Sequence, residues 1–283
     1  MDLLAALRSG ASVIAAELRP PRAELAAREG MDAWIDTYHA VRRLTRKGTF
    51  VFLTDSAVGA HEEDNLRHLV TNLGQDVPRE RIVPFLTSKH TLEYCLSYAE
   101  RAHQSGFPAL VVLGGDKTVG APRVVEHAWQ LRKLIRERAQ TLALGGWANP
   151  HADADRQVDY LASLEFHAEF FLTQIVSHHH LGAVSRFLEA TARRGVMIPG
   201  MFGVFYYRSA NPRTLEALRA FLPVPFVELS REFGGGATPE EVCARTLRAL
   251  MAAGATHFYV SNLPIGRAQQ VLANILQRVQ VTA

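Results

Sequence analysis

A chain of 283 residues, 48% hydrophobic and 21% charged, can bury the core of one large α/β barrel or of two small domains. Its formal charge is only +3, and its basic residues are mixed with acids in stretches such as RPPR, VRRLTRK and LRKLIRER, which argues against a nucleic-acid partner. Two distant cysteines, Cys95 and Cys243, give no disulfide framework and no Cys-x-x-Cys metal site, as suits a reducing compartment.

The first stretch, MDLLAALRSGASVIAAEL, carries Asp2, Arg8 and Glu17, which makes it a poor signal peptide. No apolar run reaches bilayer length, so the expectation is a soluble, cytoplasmic protein with no membrane partner. Apolar, β-branched runs then recur: SVIAAEL (12–18), TFVFLT (49–54), RIVPFLT (81–87), ALVVLGG (109–115), TLALGGW (141–147), EFFLTQIV (169–176), GVMIPGMF (195–202) and THFYVSN (256–262). Most are continuously apolar rather than alternating, which predicts parallel strands covered on both faces. Helical spacing lies between them, at Trp34, Tyr38, Val41 and Leu44 within 31–47, and at Val125, Trp129, Leu131 and Ile135 within 122–139. Thr238-Pro239-Glu240-Glu241 reads as a helix start with a threonine cap, proline in the first turn and a capping-box glutamate.

Eight such units predict a single (β/α)₈ TIM barrel, one domain over residues 1–283, with VPFVEL (224–229) as a short extra strand or loop. A doubly wound dinucleotide fold would want G-x-G-x-x-G after an early strand, and that pattern is absent. GGDKTVG also fails as a phosphate loop, because the upstream glycine is missing and Asp116 precedes Lys117.

In such a barrel, chemistry belongs to polar residues at the carboxyl ends of the strands. Those positions hold Glu17, Thr54, Asp55, Thr87, Asp116, Trp147 with Asn149 and His151, Gln174 with His178–His180, and Ser261-Asn262. Glu17 ends an apolar strand, where desolvation would raise its pKa and let it carry a proton near neutrality; the competing reading is an ion pair with Arg19 or Arg22. Asp116 is either a site carboxylate or a turn residue bonded to its own loop. Gln174 interrupts an apolar strand and must satisfy its amide somewhere, for which a ligand is a good candidate. Three consecutive histidines on an extended segment would point in different directions, and no carboxylate accompanies them at ligand spacing, so no metal is expected.

Taken together, these segments resemble the methylenetetrahydrofolate reductase family, in order and over nearly the whole chain. IAAELRPPR resembles that family's first strand, with Glu17 on its catalytic glutamate; VVLGGD resembles Leu-Arg-Gly-Asp, with Asp116 on the aspartate. GGWANPHAD resembles Gly-Tyr-Pro-x-x-His, which puts Trp147 and His151 on the tyrosine and histidine, and FFLTQ resembles Ile-Thr-Gln, with Gln174 on the glutamine. FLTDSAVGA, IVPFLTSK, MIPGMFGV and THFYVSN match further strands.

The resemblance implies an enzyme that interconverts 5,10-methylenetetrahydrofolate and 5-methyltetrahydrofolate through FAD, with NAD(P)H as co-substrate. It implies catalytic roles for Glu17 and Asp116, and substrate binding by Gln174, Asp116 and Phe233. Cofactor binding would fall to Thr54, Asp55, Gly115, Trp147, His151 and Lys117, in a small-molecule enzyme that could form homo-oligomers. Two positions depart from the pattern: Phe85 replaces a histidine and Gly114 replaces the arginine, leaving Lys117, Arg123 or His151 to supply flavin-phosphate contacts. The alternatives are a pterin-binding methyltransferase on the same barrel, or a non-catalytic folate-binding homologue.

Overall fold

A computed structural model describes residues 1–21, 24–55, 65–72, 74, 77–118 and 120–280. The elements run α1 (Leu3–Arg8), β1 (Val13–Leu18), α2 (Ala27–Arg46), β2 (Val51–Leu53), α3 (Asn65–Asn72), β3 (Ile82–Thr87), α4 (Leu92–Gln104) and β4 (Ala109–Leu113). They continue with α5 (Ala128–Arg138), β5 (Ala143–Ala148), α6 (Ala154–Ala162), β6 (Phe170–Val176), α7 (Leu181–Arg193) and β7 (Gly200–Phe205). The chain then forms α8 (Pro212–Arg219), α9 (Phe226–Gly234), α10 (Pro239–Ala252), β8 (His257–Ser261) and α11 (Ala268–Gln280). All eight strands are parallel and close in sequence order, with β8 pairing back onto β1. This is the (β/α)₈ barrel expected from the apolar runs.

Alternation along each strand sends side chains to two separate cores. Val13, Ala15, Phe52, Val83, Phe85, Val111, Leu172, Met201 and Tyr259 fill the interior of the barrel. Ala16, Leu18, Val51, Leu53, Ile82 and Val112 face the helices instead. Burial on both sides explains why Val-Phe-Leu in β2 is apolar at every position. The short α1, capped by Asp2 Oδ1 accepting from Ala5 N at 2.8 Å, sends Leu3, Ala6 and Leu7 into the same interior cluster. It plugs the amino end and leaves the carboxyl end open.

Two interior glycines make room for large neighbours. A Cβ on Gly203 would lie 2.4 Å from Tyr259 Oη, and one on Gly145 would lie 2.6 Å from the Phe170 ring. Between β4 and the helices, Arg132 is fully buried yet bonded three ways, to Phe166 O, Val112 O and Tyr160 Oη. Burial lowers its pKa, while Tyr160 and Glu169 oppose that.

Two expectations shift. The strand expected at 195–202 begins at Gly200, because Pro199 has no amide hydrogen and lends the ladder only its carbonyl, to Phe171 N at 3.0 Å. The extra strand or loop expected at 224–229 is instead the start of α9, where Phe226, Leu229 and Phe233 fall on one helical face and pack against Tyr207, Leu215 and Val242. The helix start at Thr238 forms as read: Glu241 N donates to Thr238 Oγ1, and Thr238 N donates to Glu241 Oε2.

Candidate functional site

The open carboxyl end of the barrel holds a cavity of about 460 Å³. Its polar wall joins Glu17, Thr54, Asp55, Asp116, Arg123 and Gln174; Leu113, Trp147, Phe205 and Leu222 give it apolar sides. A larger cavity of about 630 Å³ lies between α2 and α3, and among the described residues that line it there is no carboxylate.

Glu17 projects inward near the end of β1, above the packed interior. Its Oε1 accepts from Ser261 Oγ at 2.6 Å across the β1–β8 seam. Burial raises its pKa from 4.5 to about 7, with the serine bond pulling the other way. Desolvation wins because one hydroxyl replaces only part of a carboxylate's hydration. Tyr259, the interior residue before Ser261 on the same face, donates to Thr173 O at 2.5 Å, and its pKa is raised by burial and by Glu17.

Asp55 is built into the wall. Its Oδ2 accepts from Thr87 N at 2.7 Å and Thr87 Oγ1 at 2.9 Å, and lies 2.8 Å from His90 Nε2. It therefore ties the end of β2 to β3.

Asp116 both lines the cavity and shapes its loop, its Oδ1 accepting from Thr118 N at 2.8 Å and Thr118 Oγ1 at 2.9 Å. The turn before it needs Gly115 at φ +72. That loop is held to β3 by Ser88 Oγ on Gly114 O and by the buried Lys89 Nζ on Ala121 O. Arg123 folds back over Gly114 and donates to Gly115 O. A Cβ on residue 114 would sit 2.7 Å from its Cζ, so the glycine is what admits the guanidinium. Its Nε is buried without a hydrogen-bond partner.

Gln174 sits in a bulge. Leu172 pairs with Met201 and Ile175 with Gly203, so β6 spends three steps where β7 spends two. Thr173 stabilises the irregularity, accepting from Gly203 N at 3.1 Å and donating to Gln174 O at 2.8 Å. Gln174 Oε1 accepts from Ile175 N at 2.9 Å, which leaves the amide nitrogen to face the cavity.

Of the residues expected from sequence, the cavity unites Glu17, Thr54, Asp55, Gly115, Asp116, Trp147 and Gln174. Three others lie outside its lining. His151 Nε2 is 2.8 Å from Ile175 O and steadies the bulge from behind. Lys117 is exposed, and Phe233 packs in the apolar cluster under α9. Sequence reading passed over Tyr259, whose two-residue offset from Ser261 was the available signal, and Phe205, Phe221 and Leu222, for which there was none.

The histidine run also differs from expectation. It is a 3₁₀ turn (His178–His180), not an extended segment, so the His178 and His179 rings come within 3.8 Å. The carboxylate missing from the local sequence arrives from α9: Glu232 Oε1 lies 2.7 Å from His178 Nε2 and 3.5 Å from His179 Nε2.

Among the described residues no helix is long and apolar enough to cross a membrane. No family model and no curated protein matches the chain. Among solved structures it is similar to an uncharacterized protein from Clostridium thermocellum that binds two copies of 5-methyl-5,6,7,8-tetrahydrofolic acid. That overlay has a TM-score of 0.73 at 15% identity and covers 98% of this chain and 99% of the other. A more distant overlay, on QR15, an aldolase, has a TM-score of 0.48 at 10% identity, covering 98% and 100%.

Proposed function

We propose that this barrel is a folate enzyme that interconverts 5,10-methylenetetrahydrofolate and 5-methyltetrahydrofolate by hydride transfer. The observation that carries the reading is Glu17: a carboxyl group in the cavity wall with a pKa of about 7, facing the same space as Asp116 and the free amide end of Gln174. The binding of 5-methyltetrahydrofolate by a protein of the same fold supports the choice of substrate.

Reduction of the methylene form requires the imidazolidine ring to open. The bond from the one-carbon unit to N10 breaks, N10 takes up a proton, and a cationic iminium is left at N5. A group with a pKa of about 7 is protonated often enough to give that proton and basic enough to regain one. Asp116, a carboxylate on the same wall, stabilises the cation electrostatically. Gln174 offers its amide hydrogens to the carbonyl edge of a pterin. Trp147, Phe205 and Leu222 supply flat apolar surface for the ring.

The cofactor of this reading is a flavin beside β4, where Arg123 lies over Gly114 and its orphaned Nε is a donor in want of an acceptor. Thr54, Gly115, Trp147 and Arg123 would hold it, and when bound, with NAD(P)H as reductant, it would supply the hydride.

The test is the absorbance spectrum of the protein with FAD, before and after anaerobic 5-methyltetrahydrofolate. Bleaching of the flavin bands is expected. A protein that takes up no flavin and shows no folate-dependent NAD(P)H oxidation overturns the reading; folate binding in that case would favour the methyltransferase or non-catalytic alternative.

A further inference from the structure

We infer that His178, His179 and Glu232 form a divalent metal site of the zinc class, at the junction of β6, α9 and α10. It lies apart from the catalytic residues proposed above and does not depend on them. One ligand atom from each of the three falls within 4.8 Å of the others, the only such group of three or more His, Cys, Asp or Glu side chains among the described residues. Two imidazoles and a carboxylate are a donor set that suits Zn²⁺ and leaves a position for water.

The protein's own bonds leave this cluster incomplete. His179 Nε2 and Glu232 Oε2 are both buried with no hydrogen-bond partner. Two buried polar atoms left without partners in one cluster are open to a shared cation. Exposure of the three side chains is 11%, 16% and 13%, so bulk water does not provide it.

The first ligand is already oriented. Thr246 Oγ1 donates to Val242 O at 3.2 Å and lies 2.8 Å from His178 Nδ1. Thr246 thus anchors the Nδ1 side of the ring, while Nε2, 2.7 Å from Glu232 Oε1, donates its hydrogen to that carboxylate; a metal ion would take the place of this proton. A hydrogen-bonded distal nitrogen of this kind is the usual support of a metal-bound imidazole. Arg245 lies 2.8 Å from Glu232 Oε1, half-exposed at 46%, and can retain that oxygen or move outward. Glu228, one helical turn before Glu232 on α9, acts electrostatically on His179 and His180 and adds negative charge to the region.

The role is structural. The ligands come from the turn after β6 and from α9, so the ion would pin the α8–α9 excursion to the barrel.

The experiment uses untagged, chelator-treated protein titrated with Zn²⁺ against a chromogenic competitor, and separately with Co²⁺. The expected result is one equivalent per chain, visible Co²⁺ d–d bands, and a higher Tm with zinc. His179→Ala and Glu232→Gln should each weaken binding by at least about tenfold, while His103→Ala, at an exposed histidine, leaves it unchanged. His179→Gln serves if the alanine variant does not fold. Absence of a stoichiometric site, or zinc uptake that survives both ligand substitutions, overturns the inference.

Discussion

Substituting Glu17→Gln separates the two consequences of its burial. The carboxyl moves from 4.5 to about 7 because the fold disfavours its ionised form. That corresponds to about 3 kcal/mol of folding free energy between the protonated and ionised limits. The sign follows from proton uptake: the folded state holds this proton more tightly than the unfolded chain. The stabilisation is complete below 4.5 and is lost as pH rises through 7. Between about pH 5.5 and about pH 8.5 the wild type should therefore lose about 2 kcal/mol from this group.

Glutamine keeps the shape and can still accept from Ser261 Oγ, but it does not titrate. The variant should lack that share of the pH dependence and be more stable than wild type at the alkaline end. Urea unfolding of both proteins across the pH range measures the difference, and a ¹³C carboxyl titration reads the group directly. The same variant should lose about 10²–10⁴-fold in folate turnover, the usual worth of a positioned acid, while retaining reduction of bound flavin by NAD(P)H. Parallel stability curves for the two proteins, or a Glu17 that titrates near 4.5, would refute the reasoning.

Gly203→Ala should cost about 1–3 kcal/mol, because the new methyl meets Tyr259 Oη at 2.4 Å and that hydroxyl is held by Thr173 O; an unchanged urea midpoint would contradict the interior packing. Asp55→Ala removes the acceptor for Thr87 N and Oγ1 and should cost about 1–3 kcal/mol, read by denaturant unfolding. Gly114→Ala and Arg123→Ala should each weaken cofactor or folate binding with little change in stability. Their double variant should be no worse than either alone, since both act by moving one guanidinium; additive losses in a binding titration would uncouple them.

The eight strands were legible because each is buried on both faces, and β-branched runs separated by helical periods have few other uses. Glu17, Asp116 and Gln174 stood out for a related reason: each is a polar residue at the end of, or inside, an apolar strand. What escaped was whatever depends on distant parts of the chain. Glu232 lies 54 positions from His178, so their contact leaves no local spacing to read. That Thr87 and His90 bond the Asp55 carboxylate was equally hidden, since they lie 32 and 35 positions away. Arg123 enters the cavity only because Gly114 has no side chain. The segment at 224–229 was ambiguous because its apolar residues fit a strand as well as the helical face they form.

The bulge in β6 works as a change of phase. In an unbroken strand, Gln174 and Ile175 would point to opposite sides of the sheet; here both border the cavity, while Val176 faces the helices. One extra residue thus gives the mouth of the barrel two consecutive side chains and, in the same step, sets the rotation with which the chain leaves the strand toward His178 and His179. Removing that residue would put the pleat back in step, so the cavity amide and the histidine pair would be lost together. Two features on opposite sides of the barrel wall thus share a single backbone insertion.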